Sequence, residues 1–311
     1  MLCSWVLACS GTKPAAEAED QSYLVGARSC VDSPPICGLS SRESCCLSPI
    51  VTGGEFARSN DLAAPAKLSA FRLDKYEVTV GRFRQFVGAY DEWRGAGHPE
   101  VGEGAHPRIP GTGWDAAWAV ELSPNAQGLA RTMNCETVST WTGEPGQNEL
   151  RPVGCLAWFQ AFAFCLWDGG RLPTEAEWNF ASAGGSEQRV FPWGDTEPKA
   201  DAELAAYGCS FYGTSACEAL DIAPVGSIPA GNGKFGQADL AGNIWEWNWD
   251  WHAPYAPECE DCANTLPSLG REIRGGNYGH YVSFLSSSYR YFYAPEYHGD
   301  SIGVRCARDL K

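Results

Sequence analysis

The chain is poor in the features of nucleic-acid-binding and membrane-spanning proteins. Lysine and arginine number 23 against 38 aspartates and glutamates, which gives a formal net charge of −15. An acidic chain repels phosphate backbones, so we expect no nucleic-acid partner, and it suits solubility and cation binding. No stretch approaches the roughly 18 consecutive apolar residues that indicate a transmembrane helix.

Sequence-readable catalytic signatures are equally scarce. The chain has five histidines, and none forms a His-x-x-x-His or His-Glu-x-x-His pair, which removes the commonest zinc and iron motifs. It also lacks a Gly-x-Ser-x-Gly nucleophile elbow and a phosphate-binding P-loop. The histidines are His98, His106, His252, His280 and His298.

Cysteine, in contrast, is abundant, with 14 residues. The close pairs Cys209/Cys217 and Cys259/Cys262 are typical of loops closed by disulfides in an oxidising compartment. The alternative, a zinc site at the Cys-x-x-Cys of 259–262, needs a second spaced pair. Cys45 and Cys46 are adjacent, and the sequence has no other Cys-x-x-Cys. We therefore expect disulfides.

The amino terminus, residues 1–22, is interpreted as a leader and tether. A short apolar run ends at Cys9, and small or apolar residues before a cysteine resemble a bacterial lipoprotein cleavage box. The run is short and no lysine or arginine precedes it, so a plain N-terminal tail is the alternative. We expect export to the periplasm or cell surface, with lipidation of Cys9 as the only membrane attachment.

The rest of the chain is interpreted as a Cys-rich lead-in at 23–50 and one domain at 51–311. Its 35 glycines, 20 prolines and 13 tryptophans indicate irregular loops held by aromatic packing. Residues 91–150 carry no clear pattern.

Helix signals are few. Thr79 is placed to cap a helix, and Thr174 opens a capping box with Glu177. A buried helix is predicted to open at Arg151-Pro152, run through the apolar stretch 156–167 and stop at the glycines 169–170.

After residue 190, short strands alternate with turns. In the clearest strand, 245–251, four tryptophans alternate with three polar residues, which predicts one buried and one polar face. Few helices and short strands predict an α+β fold.

Five motifs follow one another in a specific order. They are GRLPTEAEW at 170–178, FPWG at 191–194, AGNIWEW at 241–247, IRGGNY at 273–278 and GVRCA at 303–307. Together they resemble the sulfatase-modifying-factor, or formylglycine-generating-enzyme-like, family. The resemblance spans roughly residues 51–308 and implies a C-type-lectin-like fold with little regular secondary structure.

The resemblance also implies two metal sites. Family members bind calcium, and the matching positions here are Asp239 and Glu246 through side chains and Gly242 and Ile244 through carbonyl oxygens. Carboxylates with backbone carbonyls are the ligands that calcium prefers. On spacing alone, the alternative is a turn aspartate and a solvent-facing strand glutamate.

The family's best-known chemistry, oxidation of a peptide cysteine, uses copper held by two cysteines after the Arg-Gly-Gly motif. At the matching positions this chain has His280 and Leu285. A Cu(I) dithiolate needs two soft sulfur ligands, so neither copper nor iron is supported by the sequence. The candidate cleft residues are His280, Tyr278 and Arg274, with packing and surface ion pairing as the alternative role for the last two.

Three functions are compatible with these residues. The first is a monomeric module that binds a peptide, protein or glycan on rigid loops. The second is a metal-dependent oxidoreductase from a branch without the cysteine pair, acting on an extracytoplasmic peptide or small-molecule precursor. The third, a formylglycine generator with displaced ligands, would need Cys259 and Cys262 to serve. We favour the binding module.

Overall fold

The computed structural model describes residues 27–31, 36–38, 42–135, 138–199, 202–212 and 217–310. Cys9, the predicted lipidation site, lies outside these residues. Within them, no helix is long and apolar enough to span a membrane. The α-helices of this part are α1 (Val80–Gly95), α2 (Ala126–Thr132), α3 (Trp158–Trp167) and α4 (Glu175–Ser182).

The strands are short and belong to four small sheets in the described part. The central sheet has the order β10-β7-β8-β9, with β10 parallel to β7 and the other pairs antiparallel. A second sheet has the order β11-β6-β3, and β1-β2 and β4-β5 are hairpins. The strands are β1 (Ile36–Cys37), β2 (Glu43–Ser44), β3 (Ile50–Val51), β4 (Gly54–Ala57), β5 (Pro65–Leu68), β6 (Phe71–Leu73), β7 (Trp245–Trp251), β8 (Arg271–Arg274), β9 (Tyr291–Tyr293), β10 (Ile302–Gly303) and β11 (Ala307–Arg308).

Both predicted helix caps are confirmed. The Thr79 hydroxyl accepts from the Arg82 amide at 3.2 Å at the start of α1. At α4, Thr174 Oγ1 accepts from the Glu177 amide at 3.1 Å, and the Glu177 carboxylate accepts from the Thr174 amide at 2.9 Å. These bonds satisfy amides that a helix start leaves without intrahelical partners.

The predicted buried helix exists, but its predicted start is wrong. It begins at Trp158, and every residue of α3 is buried. Pro152 lies in an extended segment instead, where it bridges to Thr79 beside α1. Because Pro152 pairs with Thr79 in this bridge, the chain is not helical at 151–152. The helix ends before Gly169, whose φ of +76° is a left-handed conformation that glycine adopts without strain.

Strand β7 is buried on both faces, so its polar face is covered by protein as its tryptophan face is. Its tryptophans pack beside α3, where Trp247 Nε1 donates to the Leu156 carbonyl at 2.7 Å. Its polar residues lie under α4, where Asp250 accepts from the Glu175 amide at 2.8 Å. A polar side chain can be buried here because the helix start offers donors.

Residues 91–150, which carried no sequence pattern, cover α3 with aromatic rings. Trp118 packs edge-on against Trp158 with ring centroids 5.1 Å apart, and Trp114 lies 5.7 Å from Phe162. These contacts extend the main hydrophobic core.

The Cys-rich lead-in is attached to that core by buried polar groups. The Ser29 amide donates to Asp168 at 2.8 Å, and Arg82 donates to the Cys45 carbonyl at 3.2 Å. Arg82 also pairs with Asp168 at 2.7 Å.

All twelve cysteines of the described residues are paired. The pairs Cys209–Cys217 and Cys259–Cys262 are present, as the sequence predicts. The other pairs are Cys30–Cys46, Cys37–Cys45, Cys135–Cys155 and Cys165–Cys306.

Candidate functional site

The candidate cleft is built by the loop that follows β8. Gly275 and Gly276 have φ values of +102° and +77°, and a Cβ on Gly276 would lie 2.9 Å from the Phe284 carbonyl oxygen. Glycine is therefore required for the loop to fold back over the short 3-10 helix Val282–Leu285.

His280 lies half-buried at the mouth of this loop. Its ring stacks on Phe284 at 4.4 Å between centroids and meets Trp245 edge-on at 5.4 Å. Burial lowers the pKa of His280, so the neutral imidazole is favoured. Its Nδ1 is buried and has no hydrogen-bond partner in the described structure, which leaves a nitrogen with an unused lone pair or proton.

Leu285 faces the protein interior at 1 % exposure. It packs in an apolar cluster with Phe191, Ala205, Tyr207 and Ala241. The position therefore contributes packing and offers no metal donor.

Tyr278 supports the loop. It is buried against Ile222 and Ile244, and its amide donates to the Asn243 carbonyl at 2.8 Å. The Tyr278 carbonyl in turn accepts from the Cys209 amide at 2.7 Å, so the Cys209–Cys217 disulfide is joined to the loop. Burial raises the pKa of Tyr278 to about 12, which keeps the phenol protonated.

Arg274 lies beneath the loop. Its side chain has no exposed surface and forms an ion pair with Glu175 at the start of α4. It also donates to the carbonyls of Ser287 at 3.1 Å and Tyr289 at 2.7 Å. Arg274 thus ties both ends of the loop to α4.

The predicted calcium positions lie at the start of β7. Glu246 is buried, and its two carboxylate oxygens accept from Arg305 at 2.6 and 2.7 Å and from Trp178 Nε1 at 2.7 Å. Asp239 is half-buried with φ +58°, and one of its oxygens accepts from the Gly226 amide at 2.6 Å. Gly242 and Ile244 lie in the turn between them; their amides donate to the Gly275 carbonyl and to Glu77.

A third carboxylate, Glu77, belongs to this group and was missed by sequence reasoning. It is fully buried and accepts from Asn243 at 2.6 Å. Burial, with the charges of Asp239 and Glu246, raises its pKa well above the usual range. Burial likewise raises the pKa of Asp239 to about 6. The charge of Arg305 acts on all three carboxylates and forms an ion pair with Glu246, and Lys75 also acts on Asp239. Glu77 is far from Glu246 and Arg305 in the sequence, so no local pattern indicated it.

Among the described residues, no three His, Cys, Asp or Glu side chains stand in an arrangement that could hold a metal ion. For calcium, the donor set fits in part. Asp239 has a carboxylate oxygen beyond the one bonded to Gly226, whereas the Glu246 oxygens are already bonded to Arg305 and Trp178.

A model of the sulfatase-modifying factor enzyme 1-like domain matches residues 40–310 of this chain. The chain therefore belongs to the sulfatase-modifying-factor family, as its motifs predict.

Curated relatives agree with this assignment. The formylglycine-generating enzyme of Mus musculus is 30% identical over 279 residues, which covers 80% of this chain and 69% of the relative. That of Streptomyces coelicolor is 31% identical over 288 residues, covering 83% and 87% of the two chains.

Solved structures show the same fold. The Treponema denticola variable protein 1 aligns with a TM-score of 0.56 at 20% identity, covering 85% of this chain and 95% of its own. PvdO from Pseudomonas aeruginosa aligns with a TM-score of 0.56 at 23% identity, covering 84% and 93%. The predicted α+β, C-type-lectin-like fold class is confirmed.

Proposed function

We propose that this chain is an exported member of the family that binds a peptide or glycan and does not generate formylglycine. The observation that carries the proposal is Leu285, a buried apolar side chain at the position where the family resemblance expects the second copper thiolate. All twelve cysteines of the described residues are also held in disulfides. The residues present therefore do not fit a copper dithiolate.

The surface beside the cleft suits recognition. Strand β9 is an edge of the central sheet, and an edge strand can pair with an extended peptide. Exposed tyrosines lie on and beside it: Tyr291 and Tyr297 are 42% and 45% exposed. Tyr293 and Tyr297 stack at 4.4 Å. Aromatic rings with a polar tip give both stacking area and hydrogen bonds to a peptide or glycan.

The function is tested with two assays on the full chain. Incubation with a cysteine-containing sulfatase-type peptide, Cu(I) and oxygen is expected to give no aldehyde by hydrazide capture. Screening on peptide and glycan arrays is expected to give binders that Tyr291→Ala weakens about ten-fold or more, while Tyr212→Ala, an exposed tyrosine elsewhere, leaves binding unchanged. Aldehyde formation would overturn the proposal.

A second candidate is a metal-dependent oxidoreductase acting on an extracytoplasmic peptide or small molecule. It is favoured by one observation, the buried His280 Nδ1 without a partner, because neutral imidazole is a common metal ligand. Elemental mass spectrometry of the purified protein decides between the two. Near-stoichiometric copper or iron that is lost in His280→Ala supports the oxidoreductase.

We further propose that the carboxylates at the start of β7 bind calcium through Asp239. Three buried or half-buried carboxylates around one arginine leave negative charge that a divalent cation would neutralise. Asp239→Ala should abolish the loss of thermal stability that wild type shows on chelation. Glu121→Ala, an exposed control, should keep the wild-type response, and an unchanged response in Asp239→Ala would contradict the assignment.

A further inference from the structure

The disulfide Cys259–Cys262 separates two cavities. Cys259 lines an apolar groove of about 450 Å³ whose walls include Phe56, Leu62 and Pro65. Cys262 lines a smaller cavity of about 140 Å³ on the other side, which also contains Arg58. Both cysteines pack against one hydrophobic cluster, but Cys259 borders the apolar groove whereas Cys262 borders the cavity that contains Arg58.

Arg58 is a buried cation that contacts the sulfur of Cys262. It is 4% exposed, and its Nη1 lies 3.5 Å from Cys262 Sγ. Its other hydrogen bonds within the described residues end on the carbonyls of Ala64 and Ala256. The Asp250 carboxyl lies in the same cavity and acts on Arg58 electrostatically, but the two side chains form no ion pair in the described structure. A buried charge is stabilised by a counter-ion. A disulfide sulfur is neutral, whereas a Cys262 thiolate would supply that counter-ion.

The loop is anchored independently of its disulfide. The Lys67 amide donates to the Cys259 carbonyl at 2.8 Å, and the Asp261 amide donates to the Lys67 carbonyl at 3.0 Å. The Asp261 carboxylate also accepts from the amide and hydroxyl of Ser69, both at 2.7 Å. These bonds along β5 hold Cys259 and Cys262 close together even when the disulfide is open.

We propose that Cys259–Cys262 is a thiol–disulfide exchange site for cysteine-containing polypeptide segments with apolar neighbours. A substrate thiolate in the groove attacks Cys259 Sγ, and a substrate–Cys259 disulfide forms as the Cys259–Cys262 bond breaks. Cys262 leaves as a thiolate beside Arg58. A leaving thiol of lowered pKa leaves faster, which is what a neighbouring guanidinium provides.

A second substrate thiolate then attacks the substrate sulfur of the mixed disulfide. This releases an oxidised substrate and leaves Cys259 and Cys262 reduced, with two electrons and two protons transferred in all. A small-molecule disulfide such as oxidised glutathione restores the Cys259–Cys262 bond and is itself reduced to thiols. The site is separate from the proposed binding surface at β9, and its test does not depend on whether that surface binds a ligand.

Equilibration of the full chain in glutathione redox buffers tests how readily the Cys259–Cys262 disulfide is reduced. After quenching by alkylation, peptide mass spectrometry gives the reduced fraction of each pair. Cys259–Cys262 is expected to be reduced under conditions where the fully buried Cys165–Cys306 pair stays oxidised. Arg58→Gln is expected to make Cys259–Cys262 about ten-fold harder to reduce, because the thiolate loses its counter-ion.

Two further variants make this result decisive. Arg58→Lys keeps the charge and should behave as wild type. Arg108→Gln removes a cation that lies 3.6 Å from Asp261 in the same loop and should change the equilibrium less than about two-fold. If Arg58→Gln instead unfolded part of the chain, Cys259–Cys262 would become easier to reduce, which is the opposite of the expected change. Equal or easier reduction in Arg58→Gln would overturn the proposal.

Trapping of a mixed disulfide tests whether Cys259 takes part in the exchange reaction. In Cys262→Ser, the free Cys259 should accumulate a mixed disulfide with a short disulfide-bearing peptide whose cysteine lies between leucines. Replacing those leucines by glutamates should slow trapping, since the groove is apolar. No mixed disulfide with either peptide, or equal rates with both, would overturn the assignment of substrate class.

Discussion

Buried charged side chains meet partners of opposite charge in most of this molecule. Arg82 and Arg308 share Asp168, with distances of 2.7 and 2.6 Å. Arg171 pairs with Glu177 at 2.7 Å and thereby fixes the carboxylate of the α4 capping box. The neighbouring charge of Arg171 lowers the pKa of Glu177 even though burial acts in the opposite direction. Such pairs orient the loops around the sheets.

Asp250 is an exception and gives a prediction on pH. Burial raises its pKa to about 8, although the amides of Glu175 and Asn264 donate to its two oxygens. In the unfolded chain the pKa is about 3.9. The folded state therefore holds an extra proton between these values. The resulting stabilisation is complete below about pH 4 and is lost as pH rises through 8.

Asp250→Asn cannot titrate, so its unfolding free energy should fall less than that of wild type between about pH 5 and pH 8. At the lower pH it should be less stable than wild type, because one amide oxygen replaces two acceptors. Urea unfolding at both pH values measures this, with Glu121→Gln as an exposed control. If Asp250→Asn lost as much unfolding free energy between the two pH values as wild type does, the prediction would be contradicted.

At the scale of elements, α4, which begins within the motif at 170–178, connects the central sheet to the cleft loop. Its first turn binds Asp250 of β7 and Arg274 of β8, and Trp178 donates to Glu246. Asn179 donates to the Ser287 carbonyl at 2.7 Å beyond the cleft loop. One short helix thus positions the central sheet and the loop after Arg274.

The cap of α4 should therefore matter for stability. Thr174→Ala removes the oxygen that accepts from the Glu177 amide and should cost about 1 kcal/mol of unfolding free energy. Thr174→Ser keeps the oxygen and should lose much less. Urea midpoints of the two variants make the comparison, and equal midpoints for Ala and Ser would show that the hydroxyl does not stabilise the helix.

For the molecule as a whole, the six disulfides of the described part join loops that have little regular structure. Cys165–Cys306 connects α3 to the chain end across 141 residues, whereas Cys259–Cys262 closes a loop over a separation of 3. Closing a long loop restricts the unfolded chain more than closing a short one. Six disulfides fit a secreted or extracellular protein.

Thiol titration under denaturing conditions tests this at the level of the whole chain. Twelve of the 14 cysteines are paired, and the other two, Cys3 and Cys9, lie outside the described residues. We expect no more than about two free thiols per chain in protein from an oxidising compartment. A count near the total number of cysteines would contradict both the pairing and the export proposal.

The family, the fold class and the local structural signals follow from the amino-acid sequence alone. The Thr79 and Thr174 caps were predictable because the donor and acceptor lie within three residues of each other. The pairs Cys209–Cys217 and Cys259–Cys262 were predictable for the same reason of proximity along the chain.

The surroundings of each functional group, in contrast, depend on how distant segments pack together. Glu77 and Glu246 come together with Arg305 from three distant segments, and the polar face of β7 is buried because α4 covers it. Arg58 reaches Cys262 across 204 residues of sequence. Burial and charge compensation depend on such long-range contacts, which no local pattern of residues encodes.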